Sequence, residues 1–403
     1  MIFLVHKHLK QLISDASLSA VVAGFIAVIV GLTSSAVIVF QAAQSAGLDS
    51  VQASSWLGSL CIGMGLVAIS LSVKYKAPIL AAWSTAGAAI LVTGLPGTVL
   101  SEAIGAFLFS AVLIFISGIT GIFEKVMNRI SIPIASGLLA GVLLQFSMNS
   151  FLGFKTQPVL VGVMFLTYLL GRRLAPKWTM LGVLLIGVSV AYALGLVHFA
   201  QVQVAWTHFE FVTPTFSIKT ILSIGLPLFV VTMASQNLTG YSLLRFHGYT
   251  VPISPILTTT GLANMAAAFF GGFTITLAAI TATVGMEPSV HPDKSRRYFS
   301  GITSGILYLI VGTFAATVTT LFAAFPKELV FAIAGFALLT TIANALEVAL
   351  KDASERNAAF ITFIVAASGI TLFGIGSAFW GIIFGMVTQI IIKKAPSPKS
   401  SDS

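Results

Sequence analysis

The chain has 403 residues, of which 57% are hydrophobic and 8% charged, with a mean hydropathy of +1.01. A soluble protein carries about 25% charged residues, so this composition excludes a water-soluble globule and requires a polytopic membrane protein. The formal net charge of +9 raises nucleic acid as a partner, but the basic residues are scattered over many short connections, and scattered charge makes no nucleic-acid footprint.

The opening "MIFLVHKHLKQLISD" is a short basic lead suited to lying on the membrane. From Leu18 past Val39 runs the first long apolar stretch, too long for a signal h-region and therefore a retained span. Reading apolar runs between charged or Gly/Pro-marked breaks gives fourteen candidate spans. Seven lie near 18–44, 52–72, 77–94, 99–120, 132–151, 157–171 and 178–197. Seven more lie near 219–240, 254–271, 273–286, 299–322, 329–348, 357–372 and 375–392. With the N-terminus cytoplasmic, eighteen of the 21 Lys and Arg residues fall on inside loops, leaving only Lys155, Lys219 and Lys327 outside. That bias obeys the positive-inside rule and predicts cytoplasmic N- and C-termini. The longest connection, residues 198–218, is an extracytoplasmic linker between a first unit, 1–197, and a second, 219–392, with a cytoplasmic tail at 393–403. Seven is odd, so if the halves are repeats they are inverted, an arrangement common in secondary transporters.

The third span of each half is short. "APILAAWSTAGAAILVTG" fills 77–94 and "FTITLAAITATVGM" fills 273–286. Fourteen helical residues reach about 21 Å against a hydrocarbon core of about 30 Å. Roughly five extended residues followed by nine helical ones would span. Extended backbone at that depth is tolerated only inside protein or beside a cavity. Each segment would then start a half-helix near mid-membrane, its free N–H groups forming an anion site without Lys or Arg. The alternative parse joins 273–286 to 254–271 as one helix, at the expense of the loop-charge pattern.

Candidate ligand contacts follow. Ser84 and Thr85 in "STAG" occupy N-cap positions, and Trp83 before them offers an aromatic wall or an interfacial anchor. Thr276, Ala278 and Thr281 are the second-half counterparts, although a span Thr commonly bonds its own helix. Gln41, next to Phe40, and the adjacent Gln236 and Asn237 are amides within spans, where they must bond across helices or to a ligand. For proton coupling, Glu102 lies a turn inside the fourth span, where it also suits a helix start. Glu287, His291 and Asp293 lie in a cytoplasmic run that forms a gate, a proton exit or a plain solvated loop. Cys61, the only cysteine, allows no internal disulfide, and no cofactor or metal is called for. GxxxG spacings at Gly137/Gly141, Gly301/Gly305 and Gly381/Gly385 predict close helix packing. No P-loop, HExxH or GxSxG motif occurs, so an enzyme has no visible catalytic cluster.

With "APILAAWSTAGAAILVTG", "LPLFVVTMASQN", "AAITA", "HPDKSRR" and "GIGSAFWG" on the page, the sequence resembles a benzoate/proton symporter of the benzoate membrane transport family over about 18–392. That family is similar to the larger fold of nucleobase/ascorbate and sulfate-type carriers. The resemblance implies an all-α fold of seven plus seven inverted spans. Spans 1–4 and 8–11 would form a core, spans 5–7 and 12–14 a gate, with substrate between spans 3 and 10, and a homodimer is compatible with it. It implies import of benzoate or a close aromatic carboxylate with protons through a bacterial inner membrane. Another anion, inorganic or dicarboxylate, on the same fold is the alternative. Span 8 offers amides, and span 10 has no acid before Glu287, which argues against a nucleobase. Relatives tend to carry Pro where this chain has Ala86 and Thr239.

Overall fold

The computed structural model describes residues 17–123, 131–197, 204–278, 281–288, 290–370, 372 and 377–392. The basic lead, the tail at 393–403, part of the linker and residues 279 and 280 of the short tenth segment lie outside them.

Each of the twelve long apolar runs holds helix close to its expected bounds. In the first half these are α1 (Leu18–Ser45), α2 (Ser50–Tyr75), α4 (Leu100–Thr120), α5 (Ile132–Leu152), α6 (Pro158–Leu174) and α7 (Thr179–Ala193). Between α2 and α4 come strand β1 (Ala81–Trp83) and helix α3 (Thr85–Gly94). The second half begins with α8 (Ile218–Arg245) and α9 (Ile253–Ala268), followed by strand β2 (Ile275–Leu277) and the short α10 (Ala282–Met286). It finishes with α11 (Tyr298–Thr313), α12 (Ala315–Ala323), α13 (Lys327–Lys351), α14 (Arg356–Ala367) and α15 (Ser377–Ile392). Six of the described helices are long and apolar enough to cross a membrane, and α11 with α12, bent by 68°, makes a seventh if taken as one span. The protein is a mostly helical, multi-pass membrane protein.

Local chemistry explains the irregularities. Helix α8 contains two wide π-type turns, Ile221–Gly225 and Thr232–Asn237. The first precedes Pro227, whose ring lacks an N–H and crowds the carbonyl four residues back. The α11–α12 break falls at Phe314, where a linker residue enters the helix ladder. Thr207 Oγ1 donates to Gly312 O at 2.7 Å and accepts from Ala315 N at 2.8 Å. Residues 204–217, without regular secondary structure, lie over helix ends, with Trp206 stacked on Phe314 and Phe211 on Phe269.

The helices pack in two groups. In one, α2 lies on α11, α4 on α9, and α1 on α3 and α11, with α8 against α4; in the other, α5 lies on α13 and α14, α6 on α7, and α14 on α15. The groups meet where α1 touches α13 and α7 and where α5 touches α3 and α8. All three GxxxG pairs sit at helix interfaces within a group. A Cβ on Gly137 would come within 2.3 Å of Ala359 O, one on Gly305 within 2.8 Å of Gly65 O, and one on Gly381 within 3.1 Å of Thr362 O.

Candidate functional site

The two short segments meet in the interior of the first group. After Pro78 the chain runs extended through β1, and after the Gly271–Gly272 turn it runs extended through β2, antiparallel to it. Ala81 faces Leu277, Ala82 faces Thr276, and Trp83 faces Ile275. Gly271 makes the turn possible: its φ is +87°, and a Cβ there would fall 1.7 Å from the Trp56 ring. The turn also separates 273–286 from α9, so the single-helix parse is corrected. Ser84 N donates to Thr274 O at 3.0 Å and Ala278 N to Leu80 O at 2.9 Å, closing the ladder at both ends. Ala278, 2% exposed, is thus a backbone rung.

At Ser84 the first segment turns helical. Its Oγ accepts from Gly87 N at 3.0 Å, the N-cap bond that starts α3, and from Thr232 Oγ1 at 2.9 Å. Ser84 therefore sets the start without the proline that Ala86 replaces. Thr85 is the first helical residue and is half-buried. Thr239 lies in α8 on an exposed position.

Trp83 is deep, at 2% exposed, rather than an interfacial anchor. Its Nε1 donates to Ser35 Oγ at 2.9 Å, and its ring meets Tyr308 edge-on at 6.3 Å. Ser35 in turn donates to Gly31 O at 3.0 Å, which ties the indole to α1. Farther along α1, Phe40 packs on Phe322 with centroids 4.6 Å apart. Gln41 is 5% exposed, and its Nε2 has no hydrogen-bond partner. Ser45, one turn on from Gln41 and on the same face, lies 3.5 Å from Leu91 O. The two helices run alongside, so Gln41 stands level with the first turn of α3.

The second segment is built differently. Instead of nine helical residues, α10 has five. Pro288 disfavours helix at Glu287, whose backbone is extended (φ −64°, ψ 150°). Thr281 holds the N-cap position of α10 without a side-chain cap bond. Thr276, fully buried, donates to Asn237 Oδ1 at 2.7 Å, and Leu277 N donates to the same oxygen at 3.1 Å. Asn237 Nδ2 reaches Met233 Sδ at 3.3 Å. The Asn237 amide thus serves β2, while Gln236 beside it is half-buried. At the far end of α10, Arg297, 8% exposed, donates from Nη1 to Met286 O at 2.8 Å and from Nε to His291 O at 2.7 Å. A guanidinium there complements the negative end of the helix.

The proton-coupling candidates do not converge on the strand crossing. Glu102 Oε2 accepts from Thr220 Oγ1 at 2.8 Å, joining α4 to α8 at the linker end. Glu287, half-buried, ends α10 at the opposite end. His291 Nδ1 accepts from Asp293 N at 2.9 Å. Asp293 accepts from Ser295 Oγ at 2.7 Å and Ser295 N at 2.9 Å, and these bonds hold its carboxyl below the usual carboxylate range. Among the described residues no three His, Cys, Asp or Glu side chains gather as a metal ligand set.

Sequence reasoning missed Ser35, Thr232, Arg297 and Asn264, whose side chain in α9 bonds both backbone groups of Ile275. Asn264 carried a usable signal: it is an amide within an apolar run, the criterion that selected Gln41. Ser35 and Thr232 carried none, since span hydroxyls commonly bond their own helix.

A family model described as benzoate membrane transport protein matches residues 14–391. The chain belongs to the benzoate membrane transport protein family. A member named benzoate membrane transport protein, from Acinetobacter baylyi, is 40% identical over 393 residues, 98% of this chain and 99% of that one. The inner membrane protein YdcO of Escherichia coli is 42% identical over 370 residues, covering 92% of this chain and 95% of its own. In fold this family member is similar to the transmembrane domain of the cyanobacterial bicarbonate transporter BicA, with a TM-score of 0.58 at 14% identity over 93% of this chain and 97% of that one. It is likewise similar to SLC26A9, with a TM-score of 0.61 at 13% identity over 92% of this chain and 65% of that one. The protein is a membrane transporter and not an enzyme.

Proposed function

We propose that the protein imports benzoate, or a close aromatic carboxylate, together with protons, by alternating access. The observation that carries this reading is Gln41: a buried amide donor with no partner, level with the first turn of α3. An unsatisfied buried donor costs about 1–3 kcal/mol, and a carboxylate seated there would satisfy it. The N–H groups of Thr85 and Ala86, which have no intrahelical acceptor, would share that charge at the helix N-terminus. Trp83, held by Ser35, would carry the ring, with Phe40 beside Gln41. Thr276 and Ala278 would shape the opposite side through the β2 ladder, and Thr281 from the start of α10. Half-buried Gln236 would remain available to the ligand.

An anion entering with a proton is electroneutral, which suits a site without a fixed charge. Glu102 would relay the proton, since its bond to Thr220 couples α4 to α8. Glu287 and His291 would serve the cytoplasmic end.

Packing supports fourteen spans in two inverted units, 1–197 and 219–392, joined by the linker 198–218. Exchanging corresponding elements of the halves turns the α2–α11 pair into α9–α4 and leaves the β1–β2 and α5–α13 pairs unchanged. The first packing group would be the moving core and the second the gate. Loop charge supports cytoplasmic termini in a bacterial inner membrane.

The test is uptake of labelled benzoate into proteoliposomes, with and without an imposed inward proton gradient, well above the acid's pKa of about 4. Wild type is expected to show gradient-stimulated uptake that Trp83→Ala lowers by about tenfold or more, a loss of roughly 1.4 kcal/mol. Absence of protein-dependent benzoate flux, with bicarbonate or sulfate carried instead, would retain the fold and overturn the substrate.

A further inference from the structure

A two-stranded ladder inside a membrane protein has two outer edges, and each edge exposes backbone groups that lipid cannot satisfy. Along β2 the groups of Thr276 point toward β1, and those of Ile275 and Leu277 point away. The outward groups are met by side chains. Asn264 Nδ2 donates to Ile275 O at 2.9 Å, and Asn264 Oδ1 accepts from Ile275 N. Leu277 N donates to Asn237 Oδ1 at 3.1 Å. Asn264 is 1% exposed and Asn237 fully buried. A carboxamide presents one donor face and one acceptor face in the geometry of a peptide group, so Asn264 takes the place of a neighbouring strand residue.

We infer that Asn264 is a positioning residue for substrate binding: its carboxamide acts as a third strand that fixes the register and height of β2, and through it the backbone opposite Trp83. The inference rests on the reading that the β1–β2 crossing bounds the substrate. Asparagine is required there because the site needs a donor and an acceptor on one planar group. Aspartate keeps the shape, but its carboxylate sets a second acceptor against Ile275 O. Protonation restores a donor.

Asn264→Asp makes the role titratable. Burial and the facing carbonyl favour the protonated form of that carboxyl in the folded protein. The native state then binds more protons than the unfolded one, so the variant loses stability as pH rises. The experiment measures, on purified wild type and Asn264→Asp, the melting temperature of the empty protein and the Kd for labelled benzoate, from pH about 6 to about 9. Asn264→Leu, which removes donor and acceptor together, is the pH-independent control. Expected at high pH are a lower melting temperature for Asn264→Asp and a Kd weakened about tenfold. Both should approach wild type at low pH, while Asn264→Leu stays impaired throughout. A difference from wild type that does not change with pH overturns the strand-edge role. A melting temperature that follows pH while Kd stays at the wild-type value overturns the positioning role. If wild type binds no benzoate, the substrate reading fails, and with it the positioning role. The melting curves then decide the strand-edge role separately.

Discussion

The two short crossings are both held by side chains of neighbouring helices but begin their helices differently. In the first, β1 with α3, Ser84 caps a ten-residue helix, Ser35 of α1 holds Trp83, and the Ser72 hydroxyl of α2 accepts from Ile79 N and donates to Ile79 O, both at 3.1 Å. In the second, β2 with α10, amides and a guanidinium take over. Asn264 and Asn237 line its edge, Arg297 grips the end of a five-residue helix, and Thr281 makes no cap bond. The amide contributed by the first span of each half follows the same divide: Asn237 of α8 is occupied by backbone, whereas Gln41 of α1 has an unpartnered donor. Near-equivalent sequence patterns thus give one crossing that starts a capped ten-residue helix and one that starts an uncapped five-residue helix.

The sharpest way to break this comparison is to remove the two N-cap side chains in turn. Ser84→Ala deletes the α3 cap and leaves the buried Thr232 hydroxyl without its acceptor, a combined loss of about 2–4 kcal/mol. Thr281→Val removes no cap bond and should cost less than about 1 kcal/mol. Thermal melting of the purified variants measures both, and equal losses would mean that the two helix starts are alike after all.

Gln41→Met comes next. Because the Gln41 donor has no partner in the empty protein, its melting temperature should hold or rise slightly. The stabilisation that benzoate confers on wild type should largely vanish, since a hydrogen bond to a charged group is worth about 1.5–3 kcal/mol. A variant that unfolds early without ligand would show that Gln41 is structural.

A smaller effect is expected at the other crossing. Arg297→Gln leaves the Met286 and His291 carbonyls short of donors and removes the charge at the end of α10. It should lower stability by about 1–3 kcal/mol, with Arg297→Lys intermediate. Hydrogen exchange confined to 282–286 would localise the loss, and unchanged protection there would exclude Arg297 as the anchor of α10.

Legibility in the sequence tracks how local the physics is. Helix bounds were readable because span length, Pro and Gly act within a few residues; α5 was expected at 132–151 and occupies Ile132–Leu152. The GxxxG pairs located three interfaces for a similar reason, since small residues mark where backbones approach. Ser84 was legible as a cap because capping spans three residues. The short α10 was misjudged, although Pro288 announced its end.

Composition, hydropathy and loop charge determined by themselves that this is a multi-pass membrane protein with two crossings too short to be plain helices. The need to bury apolar surface and satisfy backbone at depth leaves no other choice. Only the tertiary structure decided which amide stays free, which strand edge each asparagine fills and what holds the indole. Ser35 and Trp83 are 48 positions apart, and Asn237 and Thr276 are 39 apart. No periodicity carries such pairings, because they depend on how whole helices stack around the crossing.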